Sequence, residues 1–204
     1  SKKKKKPLKN SRFSRVSFSD YAKYLKTVSS DGVMSSSYSK VRVYVDDDLE
    51  GKIINITTAR KEYVLASFDS IGTHTVRIQK ASYEFRGYIE LTELYGPESF
   101  VEKLDTRRKV LFYGDSISVG CGICGLGSDD TIANEDGSIT YAAKLVNANH
   151  LNAQMVAITG ISLGARVFRE KTMAQIYNRY SYNHSTPYNM NEFVPEMIIA
   201  NLGT

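Results

Sequence analysis

The chain has 204 residues, 42% hydrophobic and 24% charged, with a formal net charge of +5. That is room for one large domain or two small ones of about 100–150 residues, and the mixture excludes a wholly disordered chain. No apolar run approaches the roughly 18–20 residues of a membrane helix, so no membrane span is expected. The positive charge is local: residues 1–15 carry eight Lys or Arg and no acid, leaving 19 basic against 22 acidic side chains over residues 16–204. The basic leader, Ser1-Lys2-Lys3-Lys4-Lys5-Lys6-Pro7-Leu8-Lys9, has no hydrophobic stretch and is not a signal peptide as written. Block charge of this kind reads as a solvated, disordered tail. The body shows no basic stripe interleaved with aromatics, so no nucleic acid is expected as a partner.

In chain order, the segment from Ser11 to Tyr38 is rich in Ser and Tyr, with Val16-Ser17-Phe18 and Tyr24 to Val28 as candidate strands. Lys40 to Asp46 alternates as a half-buried strand and runs into the acidic turn Asp46-Asp47-Asp48. Lys52 to Thr58 places Ile54 and Ile56 on one face, and Tyr63 to Phe68 is a third apolar run. Gly72 to Lys80 alternates cleanly, and Gly87 to Leu91 closes the series. Short strands at this spacing predict an antiparallel β-sandwich over residues 16–100.

Past Gly96-Pro97 the periodicity changes. Lys109 to Tyr113 is a compact apolar strand followed at once by Gly114-Asp115-Ser116. A helix is predicted from about Ser138 to Leu151, capped by Asp136 or Ser138, with Tyr141, Ala142, Leu145 and Val146 sharing a face. Gln154 to Thr159 is a second buried strand ending at Gly160. A stretch near Met173 to Tyr180 has helical character, and Pro195 to Leu202 is a third strand. Strands separated by such crossovers pair in parallel, and ligands gather at the carboxyl ends of parallel strands. Ser116, Gly160 and Gly203-Thr204 each follow a strand and are expected on one edge.

Cys121 and Cys124 are too few for a disulfide framework. Their spacing suits half a zinc site, but no second Cys/His pair follows, and the Gly-rich run 120–127 reads first as a loop with free or mutually bonded cysteines. The sequons Asn55-Ile56-Thr57 and Asn183-His184-Ser185 are compatible with a secreted protein.

A serine just past a strand, in a Gly-Asp-Ser turn, exposes its hydroxyl at the end of a sheet. The glycine allows the sharp turn, and N–H groups beyond it can face a developing oxyanion. Val110-Leu111-Phe112-Tyr113-Gly114-Asp115-Ser116-Ile117-Ser118-Val119-Gly120 resembles the first block of the SGNH (GDSL) hydrolases. Thr159-Gly160-Ile161-Ser162-Leu163-Gly164 is similar to their second block, and Pro195 to Thr204 to the lead-in to the third. Gly72 to Ala81 and Asn134 to Ala143 resemble the carbohydrate esterase family two enzymes, which join a jelly-roll domain to an SGNH domain. The resemblance covers roughly residues 40–204.

What it implies is an N-terminal jelly-roll β-sandwich over residues 16–100, then an incomplete SGNH-type α/β domain with a parallel sheet over residues 101–204. Ser116 would be the nucleophile on an acetyl carbonyl, with its own N–H and that of Gly160 as oxyanion donors. The substrate class implied is acetylated carbohydrate or a small acyl ester, and no metal or organic cofactor is expected. In the family a third donor is an Asn that would fall immediately after Thr204, and the base is a His further on. Of the three histidines, His74 matches a structural position, and neither His150 nor His184 occupies the loop a base requires. Asp115 reads as a turn-stabilising residue. The expectation is therefore an esterase inactive as these 204 residues, with a further C-terminal segment or a partner chain completing the sheet. The rival reading is a non-catalytic carbohydrate-binding or assembly protein that keeps a degenerate SGNH domain.

Overall fold

A computed structural model describes residues 25–28, 38–57, 62–69, 74–83, 88–91, 105–125, 131–164, 168–179, 182 and 185–203. The leader 1–15, the strand expected at Val16-Ser17-Phe18, His184 and Thr204 lie outside the described residues. The chain divides into two compact units, one of Ser1–Ala81 with Phe85–Asp105, the other of Ser82–Glu84 with Thr106–Thr204.

The first unit is antiparallel throughout its described strands. Strand β1 (Leu25–Val28) pairs with β5 (Tyr88–Leu91). Strand β2 (Tyr38–Val45) lies between β3 (Lys52–Thr57) and β4 (Val76–Lys80). Alternation along β2 sends Val41 and Val43 into a core with Ile56, Tyr63, Leu65, Ala66 and Val76. Ile89 of β5 packs against the same cluster, so both sheets share one core. The opposite face of β2 is covered too: the Arg77 guanidinium lies 3.6 Å from the centre of the Tyr44 ring, and the Tyr44 hydroxyl donates to Gln79 Oε1 at 3.2 Å. The strand is thus buried on both faces rather than half-buried. Its acidic end is a turn, in which Asp48 Oδ1 accepts from the N–H groups of Glu50 (2.9 Å) and Gly51 (3.1 Å).

One expected strand is corrected. Tyr63 to Phe68 joins no ladder. Tyr63, Leu65 and Ala66 point into the core while Val64 stays exposed, and the Tyr63 hydroxyl accepts from the Thr57 N–H at 2.8 Å. The apolar spacing here serves burial of side chains and not backbone pairing.

The second unit centres on a parallel sheet of order β7-β6-β8. Strand β6 (Lys109–Gly114) is flanked by β7 (Asn152–Ala157) and β8 (Met197–Asn201). Val110 and Phe112 of β6 pack with Ala142 of helix α2 (Tyr141–Ala148), and Val146, Met155 and Ile199 border them. The helix begins later than the sequence suggests. Asp136 is occupied in its own turn, accepting from the Ser138 N–H at 2.9 Å and from the Ser138 hydroxyl. Thr140 is the cap instead, its Oγ1 accepting from the Ala143 N–H at 3.3 Å. Among the described residues the unit also has two single-turn helices, α1 (Ser116–Val119) and α3 (Met173–Ile176), and short 3-10 turns at Ile132–Asn134 and Met190–Glu192. No helix among the described residues is long and apolar enough to cross a membrane.

Candidate active site

The register of the parallel sheet sets Gly114 beside Ala157 on one side and Asn201 on the other. The three strands therefore end together. Ser116 follows two residues after the first, Gly160 three after the second and Gly203 two after the third. With neighbouring parallel strands about 4.8 Å apart, all three loops leave from one edge of the sheet.

Ser116 is the first residue of α1, and Asp115 is its N-cap, accepting from the Ile117 N–H at 3.2 Å. Asp115 is 1% exposed, and its carboxylate helps hold the turn that carries the serine. Ser116 itself is half-buried. Among the described residues nothing hydrogen-bonds its hydroxyl or its N–H, which is one of the orphan donors of a helix start. The floor of the turn is fixed from below. The Ser118 hydroxyl shares a hydrogen bond of 2.9 Å with the Tyr141 hydroxyl, and the Tyr141 ring meets Phe112 edge to face, 6.3 Å between centroids.

Gly160 sits in a tight turn closed by the Ile161 N–H donating to the Ile158 carbonyl at 3.2 Å. Its φ is +73°, while Thr159 before it is not among the positive-φ residues, which makes this a type II turn. The Arg169 Nε–H donates to the Thr159 carbonyl at 2.6 Å. The loop then closes on α3, whose Met173 N–H donates to the Ser162 carbonyl at 2.9 Å. Phe168, 77% exposed, brings its Cβ up to this turn. Tyr113, at the end of β6, donates to the Tyr177 carbonyl at 3.4 Å. Burial, with Tyr188 and Tyr177 nearby, pushes its phenol up to about 12.

The other candidates fall elsewhere. His150 lies just ahead of β7, at the amino edge of the sheet, and a six-residue strand puts it roughly 20 Å from the carboxyl edge. His74 belongs to the first unit, where its Nδ1 meets Asp46 Oδ2 at 2.8 Å and its ring stacks on Phe68. Cys121 and Cys124 are not joined in a disulfide and are half-buried. The Cys121 N–H donates to the Ser116 carbonyl at 3.1 Å, continuing the turn of α1. Among the described residues no cluster of His, Cys, Asp and Glu could hold a metal ion. Arg169 was not singled out by the sequence: its contact is with a backbone carbonyl ten residues away, and no motif spacing marks such a bond.

The solved structures that match this chain include carbohydrate esterases of family 2. One, from Corynascus thermopiles (Myceliophthora fergusii), carries a carbohydrate-binding domain and is 25% identical with a TM-score of 0.74, over 93% of this chain and 58% of that one. A family two carbohydrate esterase from Cellvibrio japonicus is 21% identical with a TM-score of 0.74, over 93% and 56%. One from Clostridium thermocellum, in complex with cellohexaose, is 19% identical with a TM-score of 0.69, over 93% and 57%. The chain thus spans under three-fifths of the length of these solved structures. No protein-family model matches it, and no curated protein sequence does.

Proposed function

We propose that the chain is the larger part of a serine esterase that removes acetyl groups from carbohydrate. The observation that carries this is the alignment of the Ser116 and Gly160 loops at one sheet edge, set by the register of Gly114 against Ala157. The Ser116 hydroxyl attacks the acetyl carbonyl. The N–H groups of Ser116 and Gly160 receive the charge that develops on its oxygen, and water then releases acetate from the acyl-enzyme. The proton of Ser116 goes to a base supplied by polypeptide outside the described residues, which also closes the open side of β8. Phe168 offers an exposed ring for the sugar to lie against. On this reading residues 16–100 are the jelly roll and residues 101–204 are part of the SGNH domain.

The test is turnover of p-nitrophenyl acetate and of an acetylated oligosaccharide in the polypeptide carrying the completed sheet. Ser116→Ala is expected to remove turnover of both, and equal rates in wild type and variant exclude Ser116 as nucleophile. A second reading is sugar binding without hydrolysis; one solved neighbour, an esterase, is in complex with cellohexaose. That reading predicts cello-oligosaccharide binding that Ser116→Ala leaves intact, in a wild type with no ester turnover.

A further inference from the structure

Hydrogen bonding of the Thr159–Gly160 peptide gives one side chain a task beyond those named above. The carbonyl of Thr159 and the N–H of Gly160 are opposite ends of one rigid peptide plane. Where the carbonyl is held, the N–H direction is determined. In the turn from Ile158 to Ile161 this is the central peptide, the one whose reversal interconverts type II and type I turns. Type II places the residue at Gly160 at positive φ, as observed at +73°. Type I would bring it to about −90° with the peptide inverted. Glycine tolerates both signs of φ, so its own sterics do not select between them. An external contact must.

That contact is Arg169. Its Nε–H reaches the Thr159 carbonyl at 2.6 Å, a charge-assisted hydrogen bond of the stronger kind. A Cβ built on Gly160 would lie 3.4 Å from the same Nε and 3.3 Å from Phe168 Cβ, so the guanidinium lies close along the turn. The segment bearing Arg169 is itself tethered: the next residue but one, Lys171, donates through its N–H to the Tyr182 hydroxyl at 3.1 Å and through Nζ to the Tyr182 carbonyl at 2.8 Å.

We infer that Arg169 is a positioning residue that locks the Thr159–Gly160 peptide in its type II orientation and thereby aims the Gly160 N–H. It touches no reacting atom. It also polarises the peptide, since a cation on the carbonyl strengthens the N–H at the other end as a donor. Lys at this position can still donate to the carbonyl, whereas Met keeps the length of the chain and loses the donor. The inference rests on the esterase reading for its catalytic meaning, but the peptide orientation is measurable without any turnover.

The experiment compares wild type, Arg169→Met and Arg169→Lys. The Gly160 N–H direction is read from its residual dipolar coupling or from crystal structures. Arg169→Met is expected to populate the inverted peptide, and Arg169→Lys to keep the wild-type orientation. In the complete esterase, Arg169→Met is expected to lower kcat by up to about 10²-fold, the scale of one lost oxyanion donor. KM should change little, and Arg169→Lys should recover most of the loss. An unchanged Gly160 orientation in Arg169→Met overturns the inference, as does a loss of turnover confined to KM. Turnover unaffected by Ser116→Ala would instead sink the esterase reading and leave the orientation result to judge Arg169 by itself.

Discussion

Gly114 and Ser118 occupy adjoining space so closely that a Cβ on Gly114 would overlap both Oγ and Cβ of Ser118. The absent side chain at the end of β6 lets α1 fold back over its own strand and present Ser116 at the sheet edge. Gly114→Ala is therefore expected to cost about 1–3 kcal/mol, the usual penalty of overpacking, and to shift the serine turn. Because Ser118 Cβ is part of the clash, Ser118→Ala should fail to rescue it, while Ser118→Gly should recover part of the loss. Denaturant melts of the single and double variants check this; full rescue by Ser118→Ala would show that the hydroxyl alone is the obstacle.

A second expectation concerns acid. The hydrogen bond from His74 and that from the Thr75 N–H (2.7 Å) hold the Asp46 carboxyl below its ordinary 3.8 against the opposing effect of burial. A depressed carboxyl stabilises the fold above its unfolded value and loses that contribution as pH falls through the folded one. The first unit should therefore lose stability below about pH 4 more steeply in wild type than in Asp46→Asn. At neutral pH the variant should be weaker by only about 0.5 kcal/mol, since Asp46 is half exposed and screened. Urea melts between acid and neutral pH provide the comparison.

At the alkaline end the sign reverses. An unfolded tyrosine ionises near pH 10, whereas Tyr113 keeps its proton to about 12. The stability this represents is fully present below about pH 10 and is lost as pH rises through the folded value. Tyr113→Phe should flatten the alkaline limb of a stability–pH profile. Ultraviolet titration of the folded protein should also lose one late-ionising tyrosine in that variant.

The elements that ride on side-chain pattern were legible in the sequence. Lys109 to Tyr113 reads as a strand because four successive apolar residues, Val110 to Tyr113, suit a buried parallel position, and β6 follows it through Gly114. The alternation of Lys40 to Asp46 and of Lys52 to Thr58 gave the β2–β3 pair. What failed did so for local reasons. Tyr63 to Phe68 has the periodicity of a strand, but periodicity reports which side chains are buried and is silent about backbone partners. The start of α2 was misplaced because Asp136, an ordinary capping residue, closes a turn with Ser138. At the candidate site, Ser116 and Gly160 were marked by the blocks around them. Arg169 was not, since a bond to a backbone carbonyl leaves no residue-type signature on its acceptor.

Strand β8 carries the fourth prediction. It pairs with β6 alone among the described strands. Ile199 turns toward the core cluster, while Met197 and Ile198 are 48% and 59% exposed. An apolar strand at a sheet edge is a template for pairing with another chain. The 204-residue chain is expected to self-associate with rising concentration, and Ile198→Lys to reduce that association without unfolding the sheet. Sedimentation velocity across a concentration series checks it; a wild type that stays monomeric throughout refutes it.

The central place of β6 also dictates when its serine turn is framed during synthesis. One neighbour, β7, is translated after α2, and the other, β8, begins only at Met197, more than 80 residues after β6 ends. Pairings so distant along the chain carry a large loop-closure cost and form late. The serine turn is therefore made by a ribosome long before the walls that position it exist. A pause or a proteolytic cut ahead of Met197 therefore leaves the central strand with one open edge, and the site waits on β8 to be framed.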